Sequence, residues 1–250
     1  MLKKKVAFVS GSTKGIGLAI AKHLAEVGYT IVLNSRDKDD LVRTSKLLKQ
    51  GDHKYFLGDV SIPENCLSAA KHAAKHYGLI DLLVCNVGSG KSCKPGEETY
   101  NHWNEAFQKN FFSTTNLIEA FRNQLSESKG NIVCVSSICG SQIIADAPVT
   151  YSVAKAALNH YVKGIARPLS KEGIRINAVA PGNIIFEGSV WQKKMNDDSI
   201  AVENMLAEKV PLNRLGNPDE IAHCVKFLAS DESAFLTGTI ICADGGQSVG

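Results

Sequence analysis

Tyr151 and Lys155 stand four residues apart in Tyr151-Ser152-Val153-Ala154-Lys155. Positions i and i+4 of a helix share a face, so this phenol and ammonium can point into one cleft. An isolated phenol, with a pKa near ~10, holds its proton too tightly for reversible exchange at neutral pH. A nearby lysine cation, helped by a bound nicotinamide, favours the phenolate, and lowering the pKa by about 2–3 units takes roughly 3–4 kcal/mol, within reach of one desolvated charge. Proton transfer is the chemistry such a pair could do. Spacing alone does not select it, because a tyrosine beside a lysine is common on helix surfaces.

A second candidate is Gly11-Ser12-Thr13-Lys14-Gly15-Ile16-Gly17, after a short apolar run and before a helical pattern. Glycines there permit a tight turn and close backbone approach, so the helix N-terminal amides can meet a pyrophosphate. The spacing G-x-x-x-G-x-G differs from the more familiar G-x-G-x-x-G, and its place after the first strand is what favours a dinucleotide. Where an NAD site would place an acidic residue at the end of the second strand, this chain has Asn34-Ser35-Arg36. Ser35 can hydrogen-bond a 2′-phosphate and Arg36 can grip it with a planar fork, while Lys14 adds charge nearby. NADP(H) is therefore expected over NAD(H), with Asp37 as a partial offset to Arg36. Gly88-Ser89-Gly90-Lys91-Ser92 lacks the first glycine of an ATP-binding loop, because Cys85 holds that place, so an ATPase is rejected.

Further along, Asn86-Val87-Gly88, Asn110 and Ser136-Ser137 precede Tyr151 in order. Ser137 is positioned to hydrogen-bond a substrate oxygen, and Asn110 to hold a water linking Lys155 to solvent. With Asp59-Val60, Asn177, Pro181-Gly182 and Asp244-Gly245-Gly246, these motifs resemble the short-chain dehydrogenase/reductase family across almost the whole chain. The resemblance implies a seven-stranded parallel sheet, a homodimer or homotetramer, and a catalytic quartet of Asn110, Ser137, Tyr151 and Lys155. It also implies that Asp59 and Val60 meet the adenine, that Asn86 and Gly88 line the cofactor, and that Lys155 contacts the nicotinamide ribose beside Tyr151. Pro181, Gly182 and Ile184 join the cofactor set.

The chain departs from the family pattern in four places, the first being Cys85-Asn86-Val87-Gly88, where the usual first asparagine and the alanine are replaced while the second asparagine survives. Ser137 precedes Tyr151 by 14 positions where 13 is usual, with Ser136 and Ser141 as weaker alternatives. After Pro181-Gly182 the usual threonine is missing, so Asn183 or the backbone is expected to replace it. Pro168 should kink or end the helix that begins at Tyr151.

The elements needed to position these groups are legible in the apolar runs Lys5–Ser10, Thr30–Asn34, Lys54–Leu57, Leu82–Asn86, Asn131–Ser136, Ile174–Val179 and Thr239–Ala243. Each is strand-length and nearly continuous, which predicts strands covered on both faces. Ile16–Val27 and Pro63–Tyr77 have helical spacing and end at Gly28 and Gly78. Asn217-Pro218-Asp219-Glu220 carries a capping box with proline at the first helical position. The alternation predicts one doubly wound α/β Rossmann-type domain over residues 1–250, with a substrate lid near 183–216. Phe186, Trp191 and Met195 are candidates to line that lid, and Lys193-Lys194 to meet an anion; lid packing and solvated lysines are the plainer alternative.

Composition narrows the function classes. A formal charge of +3 gives no basis for nucleic acid binding. The tight run Lys3-Lys4-Lys5 reads as a solvated lead-in to the first strand. Seven cysteines, an odd number without a CxxC, argue for a reducing compartment, with Cys85, Cys134 and Cys242 read as small hydrophobes inside apolar runs. No apolar stretch reaches membrane-spanning length, so a cytoplasmic protein without membrane contact is expected. His72 and His76 lack a third ligand and read as surface histidines, and no metal is expected. His102, Trp103 and Phe107 are assigned to helix packing.

The leading expectation is an NADPH-dependent ketone reductase acting on a small-molecule or carrier-bound carbonyl, with a 3-oxoacyl group on a carrier protein favoured. Lys129 and Lys171 are expected to give it basic contacts near the cleft. A sugar such as a nonulosonate precursor is the second substrate, suggested by the Val87–Gly90 loop and the start of the lid. A dinucleotide-binding scaffold or regulator without turnover is the competing class.

Overall fold

The computed structural model of the protein describes residues 5–48 and 51–248. Seven parallel strands form one sheet in the order β3-β2-β1-β4-β5-β6-β7. They are β1 (Val6–Val9), β2 (Thr30–Ser35), β3 (Lys54–Leu57), β4 (Leu82–Cys85), β5 (Asn131–Val135), β6 (Arg175–Pro181) and β7 (Ile240–Ala243). Each falls on one of the seven apolar runs, displaced by two residues at most. The helices between them are α1 (Gly15–Glu26), α2 (Lys38–Leu47), α3 (Pro63–Tyr77), α4 (Tyr100–Phe107), α5 (Ser113–Ser128), α6 (Val149–Lys171), α7 (Val190–Asp197), α8 (Ser199–Lys209) and α9 (Pro218–Ala229).

Alternate residues of the central strands feed two cores. Phe8, Leu83, Cys85, Ile132 and Cys134 point to the face covered by α3, α5 and α6, where Phe8 and Phe121 rings lie 4.8 Å apart. Ala7, Val9, Leu82, Val84 and Val133 point to the face covered by α1, α2 and α9. A period of two with both faces apolar is what turns these strands into continuous apolar runs. The edges differ from expectation. Tyr55 and Leu57 of β3 are exposed, and so is Cys242 of β7, because an edge strand lacks one neighbour.

Local signals act as the sequence predicts at several ends. Gly28 and Gly78 stop α1 and α3 with φ of +96° and +76°. Asn217 caps α9 and Glu220 returns a bond to the Asn217 amide, 2.9 Å away. Pro168 does not end α6, which runs on to Lys171. The proline lies in the last turn, where only the Gly164 carbonyl loses its donor, so the cost of the missing amide is small.

The strand order reverses between β1 and β4, and the loops leaving their carboxyl ends open a crevice there. Lys129 and Lys171 are far from it. Lys129 follows α5 at the amino end of β5, with its Nζ donating to the Glu172 carbonyl at 3.3 Å. Lys171 ends α6, about 30 Å along the helix from Tyr151 at 1.5 Å per residue. Both positions lie at the amino ends of the strands, opposite the carboxyl ends that open the crevice, so the expected basic contacts at the cleft are withdrawn.

Lys3 and Lys4 lie outside the described residues, and Lys5 pairs with Asp231 at 3.6 Å. Among the described residues no helix is long and apolar enough to cross a membrane, and no group of three or more His, Cys, Asp or Glu could hold a metal ion.

Candidate active site

The glycine loop joins β1 to α1, and its shape is set by contacts that exclude side chains. A Cβ on Gly17 would fall 2.2 Å from the Gly11 carbonyl oxygen, and one on Gly11, at φ +58°, would press on Val87. Lys14 precedes α1 without giving the helix a side-chain cap. The amides of Gly15, Ile16 and Gly17 therefore open the helix toward the crevice, a cradle that fits a pyrophosphate.

Neighbouring polar side chains build this cradle. Ser12 Oγ accepts from the Asn34 amide at 2.9 Å, and Asn34 Oδ1 accepts from the Gly11 amide at 3.3 Å. Asn34 Nδ2 reaches on to the carbonyls of Phe56 and Gly58. Asn86 Nδ2 donates to the Ser10 and Gly11 carbonyls, both at 3.1 Å. Ser12 and Asn86 thus serve the loop with their side chains, leaving their main chains toward the crevice. Val60 is almost fully buried and belongs to the core under α3, α5 and α6.

At the far end of the crevice, Thr13 Oγ1 donates to Ser35 Oγ at 3.4 Å. Arg36 is largely exposed and pairs with Asp59 at 3.3 Å. Burial works against charge on Asp59, but the hydroxyl and amide of Ser61 and the Arg36 guanidinium overcome it and hold the carboxyl below its usual pKa. Asp37, the expected offset to Arg36, instead caps α2 by accepting from the Asp40 amide at 2.9 Å. Lys14 pairs at 2.8 Å with the buried Asp40, whose carboxyl is held down first by the hydrogen bond from Lys14. The Thr13 and Ser35 hydroxyls meet here, and Arg36 and Lys14 are each paired with a carboxylate, Asp59 and Asp40.

The proton-transfer group lies beyond β4 and β5. Ser137 follows β5 in extended backbone, its Oγ accepting from the Cys139 amide at 3.2 Å, and hydrogen-bonds the Tyr151 phenol. The 14-residue separation therefore still brings Ser137 to Tyr151. The loop between them turns at Ile144–Ala147, where Asp146 takes φ +63°. Ser136 is turned inward, donating to Asn159 Oδ1 at 2.5 Å, and Asn159 Nδ2 donates to Ser141 Oγ at 3.1 Å. Neither alternative serine is free for the site.

Burial pushes the Tyr151 phenol up to about 12, against the Ser137 hydrogen bond, which lowers it. Lys155 is buried and its Nζ donates to the Val135 carbonyl at 2.8 Å. Loss of solvation brings its pKa down to about 8, with the thiols of Cys134, Cys139 and Cys85 working in the opposite direction. The Lys155 ammonium, turned toward the Val135 carbonyl, does not by itself lower the phenol pKa; the sequence expectation joined it to a bound nicotinamide. Desolvation outweighs an ammonium turned toward a carbonyl, and Tyr151 stays a protonated donor.

Asn110 sits in a π turn (Gln108–Phe112) between α4 and α5. Such turns recur at functional sites. Its Oδ1 accepts from the Ser89 amide at 2.8 Å, and its Nδ2 donates to the carbonyls of Ser89 and Ala106 at 3.1 and 3.0 Å. The side chain pins the 88–90 loop, and a water relay from Lys155 must use its remaining Oδ1 lone pair or its carbonyl. A cavity of about 40 Å³ lies beside Asn110, lined by Ser89, His102 and Glu105 among others. Gly88 has to be small, since a Cβ would lie 2.9 Å from Asn110 Oδ1 and 3.2 Å from Lys155 Nζ.

Sequence reasoning missed three supports. Asn159, one turn past Lys155, ties down the loop that carries Ser137; the i+4 spacing after Lys155 was the available signal. Gly140 lets the 3₁₀ turn at Ile138–Gly140 approach α6, since a Cβ would fall 2.6 Å from the Lys155 carbonyl. Thr150 Oγ1 meets Ser92 Oγ at 2.7 Å, joining the 88–92 loop to α6. His102 completes a capping box with Thr99, so its role is local. His72 is half-buried rather than on the surface, and burial lowers its pKa.

Pro181, Gly182 and Ile184 leave β6 toward the lid. A Cβ on Gly182 would lie 2.7 Å from Asp244, so glycine permits the turn after β7 to close on this corner. Ile184 bridges Gly216 at the lid base. Trp191 and Met195 pack on Val202, Leu206 and Val210, and Lys194 Nζ lies 4.7 Å over the Trp191 ring. These contacts are packing within the 183–216 stretch, which is the plainer of the two alternatives.

Comparison with known proteins identifies the family. Residues 11–248 match a family model described as Enoyl-(Acyl carrier protein) reductase. Acetoacetyl-CoA reductase of Shinella zoogloeoides is 34% identical, over 97% of this chain and 98% of its own length. The 3-oxoacyl-acyl-carrier-protein reductase FabG of Vibrio cholerae is 32% identical, over 98% of each. An NADPH-bound short chain oxidoreductase of Pseudomonas aeruginosa superposes with a TM-score of 0.91 at 31% identity, over 98% of this chain and 96% of that one. L-sorbose reductase of Gluconobacter frateurii, complexed with NADPH and L-sorbose, gives 0.91 at 28% identity, over 98% and 97%. Sequence order, sheet topology and these full-length matches agree: the chain belongs to the short-chain dehydrogenase/reductase family of oxidoreductases.

Proposed function

We propose that the protein is an NADPH-dependent reductase that converts a ketone to a secondary alcohol, with a 3-oxoacyl thioester as favoured substrate. The convergence of Ser137, a protonated Tyr151 and a buried Lys155 beside the glycine loop carries this reading. A bound NADPH supplies the hydride to the carbonyl carbon. Tyr151 gives its proton to the carbonyl oxygen, and Ser137 holds that oxygen by a hydrogen bond. Lys155 places a cation behind the phenol and offers a donor to the nicotinamide ribose. Gly15, Ile16 and Gly17 receive the pyrophosphate, while Ser35, Arg36, Lys14 and Thr13 receive the 2′-phosphate.

The relatives named acetoacetyl-CoA reductase and 3-oxoacyl-acyl-carrier-protein reductase support the thioester. The fold shared with L-sorbose reductase favours a sugar ketone, of which a nonulosonate precursor is one form, as the second reading. A panel of acetoacetyl-CoA, L-sorbose and steroid ketones, followed by NADPH absorbance, separates them. Highest kcat/KM is expected for acetoacetyl-CoA; a sugar in first place transfers the assignment to the second reading. Oxidation of NADPH by none of them would favour a non-catalytic scaffold.

Arg36→Ala tests the cofactor. Loss of a charge-assisted bond to phosphate costs roughly 1.5–3 kcal/mol, so the NADPH over NADH preference in kcat/KM should fall about 10–100-fold. An unchanged ratio would remove Arg36 from the site.

Exposed Tyr100, Phe112, Val149 and Val153 on α4, the π turn and α6 support a homo-oligomer. Light scattering of the purified chain should give a dimer or tetramer mass, and a monomer at micromolar concentration would contradict it.

A further inference from the structure

Phe186 begins the approach to α7, at the point where the family pattern leads one to look for a threonine. Its ring lies on Gly15: a Cβ built on that glycine would fall 2.5 to 2.7 Å from three ring carbons. Gly15 is the first residue of α1, at φ +51°, and its amide belongs to the uncapped first turn. The ring packs with Ile16 and Ile184 against the core and is half-buried. An apolar ring thus lies against the helix end whose amides suit a pyrophosphate.

The segment carrying the ring is tied to the lid. The Phe186 amide donates to Ser189 Oγ at 3.1 Å, and the Ser189 amide donates to the Phe186 carbonyl at 2.9 Å. The same hydroxyl accepts from the Gln192 amide at 3.0 Å and caps α7. On the other side, Asn183 and Ile185 are pinned to Gly216 by backbone bonds of 2.9 Å. Phe186 and the first turn of α7 therefore move together, while the stretch ending at Ile185 stays fixed.

We propose that Phe186 is a positioning residue for cofactor capture, an aromatic latch that covers the start of α1 and is displaced, with α7, when a dinucleotide binds. The proposal rests on the reading of this crevice as an NADP(H) site. A phosphate anion has to approach this end of α1 and gains nothing from an apolar ring beside Gly15, so ring and pyrophosphate compete for that approach. Two consequences follow from that competition. Association waits for the latch to open, and affinity is reduced by the fraction of chains in which it is closed.

Stopped-flow NADPH fluorescence with the full chain reads both. The wild-type rate should saturate as NADPH is raised, whereas Phe186→Ala should give a linear dependence and a Kd tighter by about 5-fold or more. Phe186→Leu keeps apolar packing for the fold and should change in the same direction to a smaller extent. The chain has two tryptophans, Trp103 and Trp191. In a Trp103→Phe background, Trp191 in α7 should change its emission at the same rate as NADPH binds to wild type, and this response should be lost with Phe186→Ala. If both variants bind NADPH with wild-type rates and affinity, or more weakly because the ring stacks on the cofactor, the latch is overturned while the cofactor site stands. Failure of the wild type to bind NADPH overturns both.

Discussion

Tyr151→Phe should lower kcat for ketone reduction about 10²–10⁴-fold, the range expected when a positioned general acid is removed. The ring remains to fill its place, so Kd for NADPH should stay within about twofold, in line with a change that removes a proton donor and little volume. The protonation state of the phenol strengthens the expectation. With burial holding it near about 12, Tyr151 keeps its proton throughout the neutral range and donates rather than accepts. A variant that retains most of the wild-type rate would show that the proton comes from elsewhere. The same shift places the alkaline limb of kcat/KM for NADPH with another group. Lys155, at about 8, loses its charge first as pH rises, so kcat/KM should fall above about pH 8 and not wait for the phenol.

Lys155→Met should produce the second large effect, in opposite directions on rate and stability. The rate should fall about 10²–10⁴-fold because the cation behind the phenol is lost, and the limb near pH 8 should vanish from what remains. Stability should rise. Folding takes the lysine from its ordinary 10.5 to about 8, so the unfolded chain binds the proton more tightly by about 3 kcal/mol. That cost is fully present below pH 8 and is relieved as pH climbs toward 10.5. Removing the amine leaves the Val135 carbonyl without its donor, which returns about 1–2 kcal/mol of the gain. A net stabilisation of about 1–2 kcal/mol would raise Tm by roughly 2–8 °C at pH 7. Melting curves at pH 7 and pH 10 check the sign: the advantage of the variant should shrink at the higher pH. A variant less stable than wild type at pH 7 would mean that the buried lysine is not strained.

The pair also shows why part of the site was hidden in the sequence. Helical spacing was enough to put Tyr151 and Lys155 on one face, since a helix fixes i and i+4 regardless of what surrounds it. Their titration was not legible, because it depends on which oxygen faces the ammonium and how much water remains around the phenol. The burial that raises the phenol pKa and the Val135 carbonyl that faces Lys155 were both set by the packing. Lys129 and Lys171 failed similarly. Their charge was plain in the sequence, but only the run of α6 and the direction of β5 decide at which end of the strands they lie.

Asn34, Asn86 and Ser12 mark an intermediate case. Their proximity to the glycine loop follows from strand order, yet their side chains turn toward carbonyls and amides of the loop itself. Phe186 gave no local signal at all, since nothing in Asn183-Ile184-Ile185-Phe186 states that the ring will lie on Gly15, far back in the chain.

The seven strands, the two apolar cores, the glycine stops of α1 and α3 and the capping box of α9 were determined by the sequence itself. All of them rest on interactions within a few residues or on a periodicity that any packed sheet must satisfy. Tertiary structure alone decided the orientation of Lys155 toward Val135, the bond from Ser137 to Tyr151 across a loop longer by one residue, the pairing of Arg36 with Asp59, and the contact of Phe186 with Gly15. Those depend on distances between segments far apart in the chain, which are set by how the helices pack on the sheet and not by local preference.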